Sequence, residues 1–197
     1  GDLGTVSNPY AGWAYDNGPS GYDRRNVAVV DFIYDIPLLR HSENRLLKST
    51  VGGWQVSGIV TMESGLPINL GLSGGQAGNF VGGSNRPDLT GKITYPHTVS
   101  EWFDPSAFTA PAVGDWGTLG HYALRGPGRD NWNISLFKSF MLSESRGSRL
   151  ELRLETFNTW NHTQFNGIGT GLGSSNFGQV TSAFDPRILQ LGGKIYF

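Results

Sequence analysis

Residues 149–160, RLELRLETFNTW, carry the strictest pattern in this 197-residue chain. Leu150, Leu152, Leu154 and Thr156 alternate with Arg149, Glu151, Arg153, Glu155 and Phe157. Successive side chains of an extended strand point to opposite faces, so as a strand this segment has one aliphatic face and one charged face. Two settings accept such a strand: a soluble sheet with one wetted face, or a barrel wall between lipid and a polar interior.

The period of two recurs along the chain. In 26–36 (NVAVVDFIYDI), Ala28, Val30, Phe32, Tyr34 and Ile36 share a face. A second candidate strand, 53–70, sets Trp54, Val56, Gly58, Val60 and Met62 against Gln55, Ser57, Ile59, Thr61 and Glu63, with Pro67 suggesting a bulge or edge position. In 131–141, Trp132, Ile134 and Leu136 oppose Asn133 and Ser135. The last strand, 188–197, places Leu189, Leu191, Gly193, Ile195 and Phe197 on one face and Gln190 and Lys194 on the other. The expected fold is all-β, an antiparallel meander of about five long strands. Between the strands lie 1–25, 71–130 and 161–187, tracts rich in the 29 Gly and 10 Pro and read as outer loops. A connection as long as 71–130 is usually functional or has a small fold of its own, and the aromatic island 102–108 lies inside it. Helical periodicity is confined to Leu38–Val51, enough for a turn or two.

Several chemistries find no support. The formal net charge of −1 provides no surplus of Lys and Arg to neutralise phosphates, so a nucleic-acid partner is not expected. Absence of cysteine removes thiol catalysis, disulfides and Cys-type zinc sites. His41, His97, His121 and His162 are scattered without metal-ligand spacing. Glu151 and Glu155 share a strand face, but Arg153 between them favours a salt-bridge ladder over an acid/base pair. Gly74-Gly75 and Gly167, Gly169, Gly171 and Gly173 do not open a helix behind a strand as a phosphate loop must. No catalytic, metal or cofactor site is expected, and the role is read as non-enzymatic. Gly1 has no leader before it, which implies either a removed export signal or a segment of a longer chain.

Three features favour a barrel wall in a membrane. If the last strand runs down to Phe197, the connections 37–52 and 142–148 at the lower end are short, and 71–130 and 161–187 at the upper end are long. Outer-membrane barrels have this asymmetry. Trp132 and Trp160 then form an upper aromatic girdle, and Tyr34, Trp54, Phe140 and Phe197 a lower one, where rings with a polar edge suit a membrane–water interface. Thirdly, the alternation of Leu189, Leu191, Ile195 and Phe197 up to a terminal aromatic resembles the signal read by the barrel-assembly machinery, with Leu191, Ile195 and Phe197 as its core. In this arrangement Arg149, Glu151, Arg153, Glu155, Gln190 and Lys194 face the lumen. Leu150, Leu152, Leu154, Ile134, Leu136, Leu189, Leu191 and Ile195 face lipid. Setting Ser148 beside Phe197 places Glu151 opposite Lys194, Glu155 opposite Gln190 and Leu154 opposite Leu191.

The phrases DRRNVAVVDFIYDIP (23–37), VGGWQVSGIVTMESGLP (51–67), WFDPSAFTAP (102–111), LRGPGRDNWNISLFKSF (124–140), RLELRLETFNTWNHTQF (149–165) and SSNFGQVTSAFDPRILQLGGKIYF (174–197) resemble the C-terminal end of TonB-dependent receptor-like proteins. The nearest sub-group is the large Oar-like type common in Acidobacteria and their relatives. The resemblance implies an outer-membrane transporter with about 22 strands and a plugged lumen, of which this chain holds the last five or so. It implies as partners membrane lipid, the remainder of the barrel or other chains, the assembly machinery, and an unknown small-molecule, peptide or glycan ligand. The plug and the TonB box have no counterpart in these residues. Five strands cannot close a barrel, because the smallest bacterial ones use about eight. An alternative is a secreted or shed β protein that assembles edge to edge into a filament or surface layer, since open edges recruit strands. A third reading, a carbohydrate-binding or hydrolytic β-sandwich, rests on exposure of Trp102 and Trp116.

Overall fold

A computed structural model describes residues 7–8, 10–38, 44, 50–73, 86–143 and 145–197. His41, Gly74-Gly75 and most of the helical candidate Leu38–Val51 lie outside the described residues. Five long strands form one sheet: β1 (Val27–Ile36), β2 (Trp54–Glu63), β3 (Arg129–Ser143), β4 (Ser148–Phe157) and β5 (Ile188–Tyr196). They pair in chain order, each antiparallel to the next, so the sheet is a meander with β1 and β5 at its edges. Glu151 stands opposite Lys194, Glu155 opposite Gln190 and Leu154 opposite Leu191, the register that the residue pattern implies.

The strand ends depart from the sequence reading for local reasons. β2 stops at Glu63 rather than continuing to residue 70. Beyond it the chain joins other partners: Pro67–Ile68 pairs with Leu124–Arg125, and the Gly126 amide donates to the Leu66 carbonyl at 2.8 Å. A Cβ at Gly65 would collide with the Gly126 carbonyl, so only glycine allows this approach. β3 is longer than 131–141, and its register shifts between Met141 and Ser143. β4 ends at Phe157 rather than 160, because Asn158 takes a left-handed backbone with φ 51°. Its amide side chain makes that turn specific: Oδ1 accepts from the His162 N–H at 3.0 Å and Nδ2 donates to the His162 carbonyl at 3.0 Å. Within the sheet, Gly58 lies opposite Phe32, and the Phe32 ring occupies the space where a Cβ would stand.

The segments that interrupt the sheet, Gly1–Arg25, Ser64–Gly128 and Gln164–Phe184, form a compact unit of their own. They are more than the plain loops of the sequence reading. Their described residues hold a dry core of Leu70, Phe103, Ala107, Phe108, Leu119, Leu124 and Phe177. Phe103, Phe108 and Phe177 meet edge to face with centroids 5.3 to 6.0 Å apart, a favoured quadrupole geometry. The aromatic island supplies this core because Asp104 and Pro105 bend it. Asp104 Oδ1 accepts from the Ser106 N–H at 2.8 Å and starts a short 3-10 turn, Pro105–Ala107, that turns Phe103 and Phe108 inward. Short ladders complete the unit: Asp88–Leu89 with Phe108–Thr109, Gly71–Leu72 parallel to Gly171–Leu172, and Phe165–Ile168 with Val180–Ala183. Trp102 is half-buried, with its indole N–H donating to the Arg125 carbonyl at 3.1 Å, and Trp116 is half-buried as well. Neither is the exposed platform that the carbohydrate-binding reading requires, which corrects that expectation.

Arg86 is the other anchor of this unit and is 1% exposed. Its guanidinium lies 3.6 Å from the Tyr15 ring centroid and donates to Asp16 Oδ1 at 3.0 Å, the Tyr15 carbonyl at 2.9 Å and the Leu119 carbonyl at 3.2 Å. A buried charge is tolerated only when paired and hydrogen-bonded in this way. Burial pushes the Asp16 carboxyl up, but hydrogen bonds from Ser7 and the charge of Arg86 outweigh it and hold the group below its ordinary value. Protonating Asp16 therefore takes more acid in the folded chain than in the unfolded one. Its contribution to stability is complete above about pH 4 and is lost as pH falls through the lowered value. Replacing Arg86 by Met should cost this unit about 3 kcal/mol, the usual penalty for breaking a buried ion pair. Hydrogen exchange at Tyr15, Asp16 and Leu119 should accelerate while exchange in β1–β5 stays as it is.

Candidate functional site: a two-faced wall

Directly opposed residues in a sheet share a face, so the register sorts every side chain of β1–β5 into one of two sets. One set contains Val30, Phe32, Val56, Val60, Trp132, Ile134, Leu136, Leu150, Leu152, Leu154, Leu189, Leu191 and Ile195. The other contains Asp31, Asp35, Gln55, Ser57, Asn133, Ser135, Arg149, Glu151, Arg153, Glu155, Gln190 and Lys194. The residues singled out as aliphatic and those singled out as polar thus lie on opposite sides of one continuous sheet.

The aliphatic side is not a core. Leu191 is 82% exposed and Leu189 62%, and Val60 is the sheet's one buried hydrophobic among the described residues. Two ionic side chains interrupt this side, both on β3. Asp130 accepts from the Trp132 indole N–H at 2.9 Å. Lys138 is 2% exposed, donates to the Gly52 carbonyl, and sits 5.6 Å from the Trp54 ring and 5.1 Å from the Phe140 ring. Eight residues at about 3.3 Å put some 26 Å between these two ions along the strand. A barrel-wall tilt of about 40° would reduce that to about 20 Å, close to the height of an outer-membrane apolar band. Lys138 escaped the sequence reading, although counting every second residue from Trp132 leads to it.

Aromatic side chains gather near both ends of the strands. Trp132, among the first paired residues of β3, and Trp160, just past the end of β4, meet edge to face at 6.0 Å. At the other end, Tyr34 is exposed, the Trp54 indole N–H donates to the Thr50 carbonyl at 3.3 Å, Phe140 underlies Lys138, and Phe197 is fully exposed.

The polar side is a ladder of local contacts. Arg153 Nε donates to Glu151 Oε1 at 2.7 Å, and its guanidinium lies 5.1 Å from the Phe137 ring. Arg149 and Lys194 flank Tyr196 at 4.2 and 4.5 Å from its ring. Gln55 Nε2 donates to Asp35 Oδ1 at 2.8 Å. At the end of the sheet near Gly52, Asp35, Gln55, Phe137, Glu151 and Arg153 border a groove of about 750 Å³. Among the described residues no three His, Asp or Glu side chains converge in a manner that would hold a metal ion.

Residues 1–190 match the family described as an outer membrane beta barrel domain. The chain belongs to that family. It is a protein of the bacterial outer membrane, and its five-stranded meander is part of a barrel wall. No curated protein and no solved structure matches it.

In a β-barrel domain the Lys138 contact ties the stem of β3 to the connection before β2. Replacing Lys138 by Met keeps the aliphatic stem but leaves the Gly52 carbonyl without its donor. An unsatisfied buried acceptor costs about 1–3 kcal/mol, so the variant barrel should unfold at lower urea concentration in lipid bilayers, read by tryptophan fluorescence.

Proposed function

We propose that this chain is the C-terminal wall and ligand-facing outer region of a TonB-dependent receptor-like transporter, with a non-enzymatic role. The observation that carries the reading is the sheet with an exposed aliphatic face and an ionic face, in a chain whose dry core lies elsewhere. In lipid every backbone polar group needs an internal partner, so a spanning sheet must close on itself. β1 and β5 are edges, and further strands, from the rest of the chain or from other chains, close the wall. Leu150, Leu152, Leu154, Ile134, Leu136, Leu189, Leu191 and Ile195 contact lipid, and Arg149, Glu151, Arg153, Glu155, Gln190 and Lys194 line the wet interior. The exposed Leu191, Ile195 and Phe197 are available to the assembly machinery. The folded unit of the long connections offers the outer surface that meets a ligand. The six phrases that resemble the C-terminal end of TonB-dependent receptor-like proteins support the finer part of the assignment.

Leu191→Lys should destabilise the barrel in bilayers by about 2–4 kcal/mol if it faces the midplane, whereas Gln190→Lys on the opposite face should change little. Equal effects of the two would overturn the two-faced assignment. Uptake of the cognate solute should cease in cells lacking TonB. Helical filaments seen by electron microscopy of the detergent-free protein would replace this reading with edge-to-edge assembly through β1 and β5.

A further inference from the structure

Gly192 and Gly193 stand side by side in the middle of β5, an edge strand, where a glycine weakens pairing and leaves a gap on the surface. Gly193 lies on the aliphatic side, directly opposite Leu152. Along β5 it is bracketed by Leu191 and Ile195, which are 82% and 59% exposed, so the gap is a notch with apolar walls. Among the described residues nothing accounts for it. The Gly193 backbone lacks the positive φ that favours glycine. A Cβ built there would come no closer than 3.7 Å to the Leu152 side chain, an ordinary contact. The other glycine-bearing strand of the sheet, β2, shows what such a gap serves. Gly58 also lies on the aliphatic side, and the ring of Phe32, its partner on β1, reaches within 2.7 Å of where a Cβ would stand. There the ring takes the place of the missing side chain.

We infer that the strand closing the wall against the free edge of β5 carries an aromatic residue opposite Gly193, its ring seated in the notch between Leu191, Ile195 and Leu152. In the outer membrane that edge must be paired, because an open one would leave its N–H and C=O groups unsatisfied in lipid. Directly opposed residues bring their Cβ positions within about 5 Å, and a flat ring is long enough to lie across onto the neighbouring strand. The apolar walls select against a charged or amide side chain in the same place. A lipid acyl chain is the rival occupant. It adapts to any apolar surface, so it gives no reason for a glycine. The joint rests on the barrel-wall reading of the aliphatic face and is independent of what the barrel transports.

The test uses the complete barrel in bilayers, with the photo-cross-linker p-benzoyl-phenylalanine in place of Leu191. Irradiation should join it to a strand outside these 197 residues. Mass spectrometry of the joined peptide then sets the register and identifies the residue opposite Gly193, expected to be Phe, Tyr or Trp. Gly193→Val should lower the urea midpoint of unfolding by about 1 M, since a side chain forced into filled space strains its surroundings. Combining Gly193→Val with an alanine substitution of that aromatic residue should recover most of the loss. Over an empty or lipid-filled notch the sign reverses, because valine suits a strand better than glycine, and the midpoint rises. A rise, a cross-link to lipid alone or to β1 of a second copy, or a non-aromatic residue opposite Gly193 would overturn the joint. If Leu191→Lys and Gln190→Lys differ as expected while Gly193→Val raises the midpoint, the two-faced wall stands and the joint falls. Equal effects of those two substitutions would bring down the wall reading and the joint with it.

Discussion

Antiparallel pairing with a side-chain period of two is the constraint on which the rest depends. Once Glu151 is opposite Lys194, the face of every residue in β4 and β5 follows, and a slip of one position would put Arg153 and Glu155 among the leucines. Neither face could accept that exchange. With the leucine face toward lipid, as proposed, a charge there would cost about 2–4 kcal/mol near the midplane, and a leucine stripe inside would lose its apolar environment. The weak cross-strand pairs of the polar face therefore matter chiefly for register, since each contributes only about 0.2–1 kcal/mol.

The sheet was legible in the sequence because its information is local. RLELRLETF shows both faces within nine residues, and LQLGGKIYF can be aligned against it through one ionic pair and one leucine pair. The end of β2 was not legible. The alternation after Gly65 looks like more strand, and only the close pass of Gly126, some 60 residues away in sequence, turns it aside. Arg86 was silent for a similar reason. Nothing around it in sequence marks a buried cation, because Tyr15 and Asp16 are about 70 residues distant. Within the wall, Lys138 and Phe137 were readable by counting but contradicted the expected identity of their faces. In each case a specific contact explains the exception: a carbonyl for the ammonium, and a guanidinium over the ring.

A wall of this kind also dictates how its connections must fold. A soluble domain would use the aliphatic side of the sheet as the floor of its core, and long insertions would pack on it. On the proposed reading that side faces lipid, and the insertions have an apolar centre of their own. The sequence supplies it in WFDPSAF, whose two phenylalanines join Phe177, Leu70, Leu119 and Leu124 without a single residue from β1–β5. The same separation accounts for the low charge of the chain. Ionic side chains are useful on one face of the strands and in a few buried locks such as Arg86–Asp16, while turns rich in Gly, Ser and Asn carry the remaining surface. A chain with 16% charged residues and 29 glycines is thus what an outer-membrane wall with folded insertions requires, rather than a sign of an incomplete core.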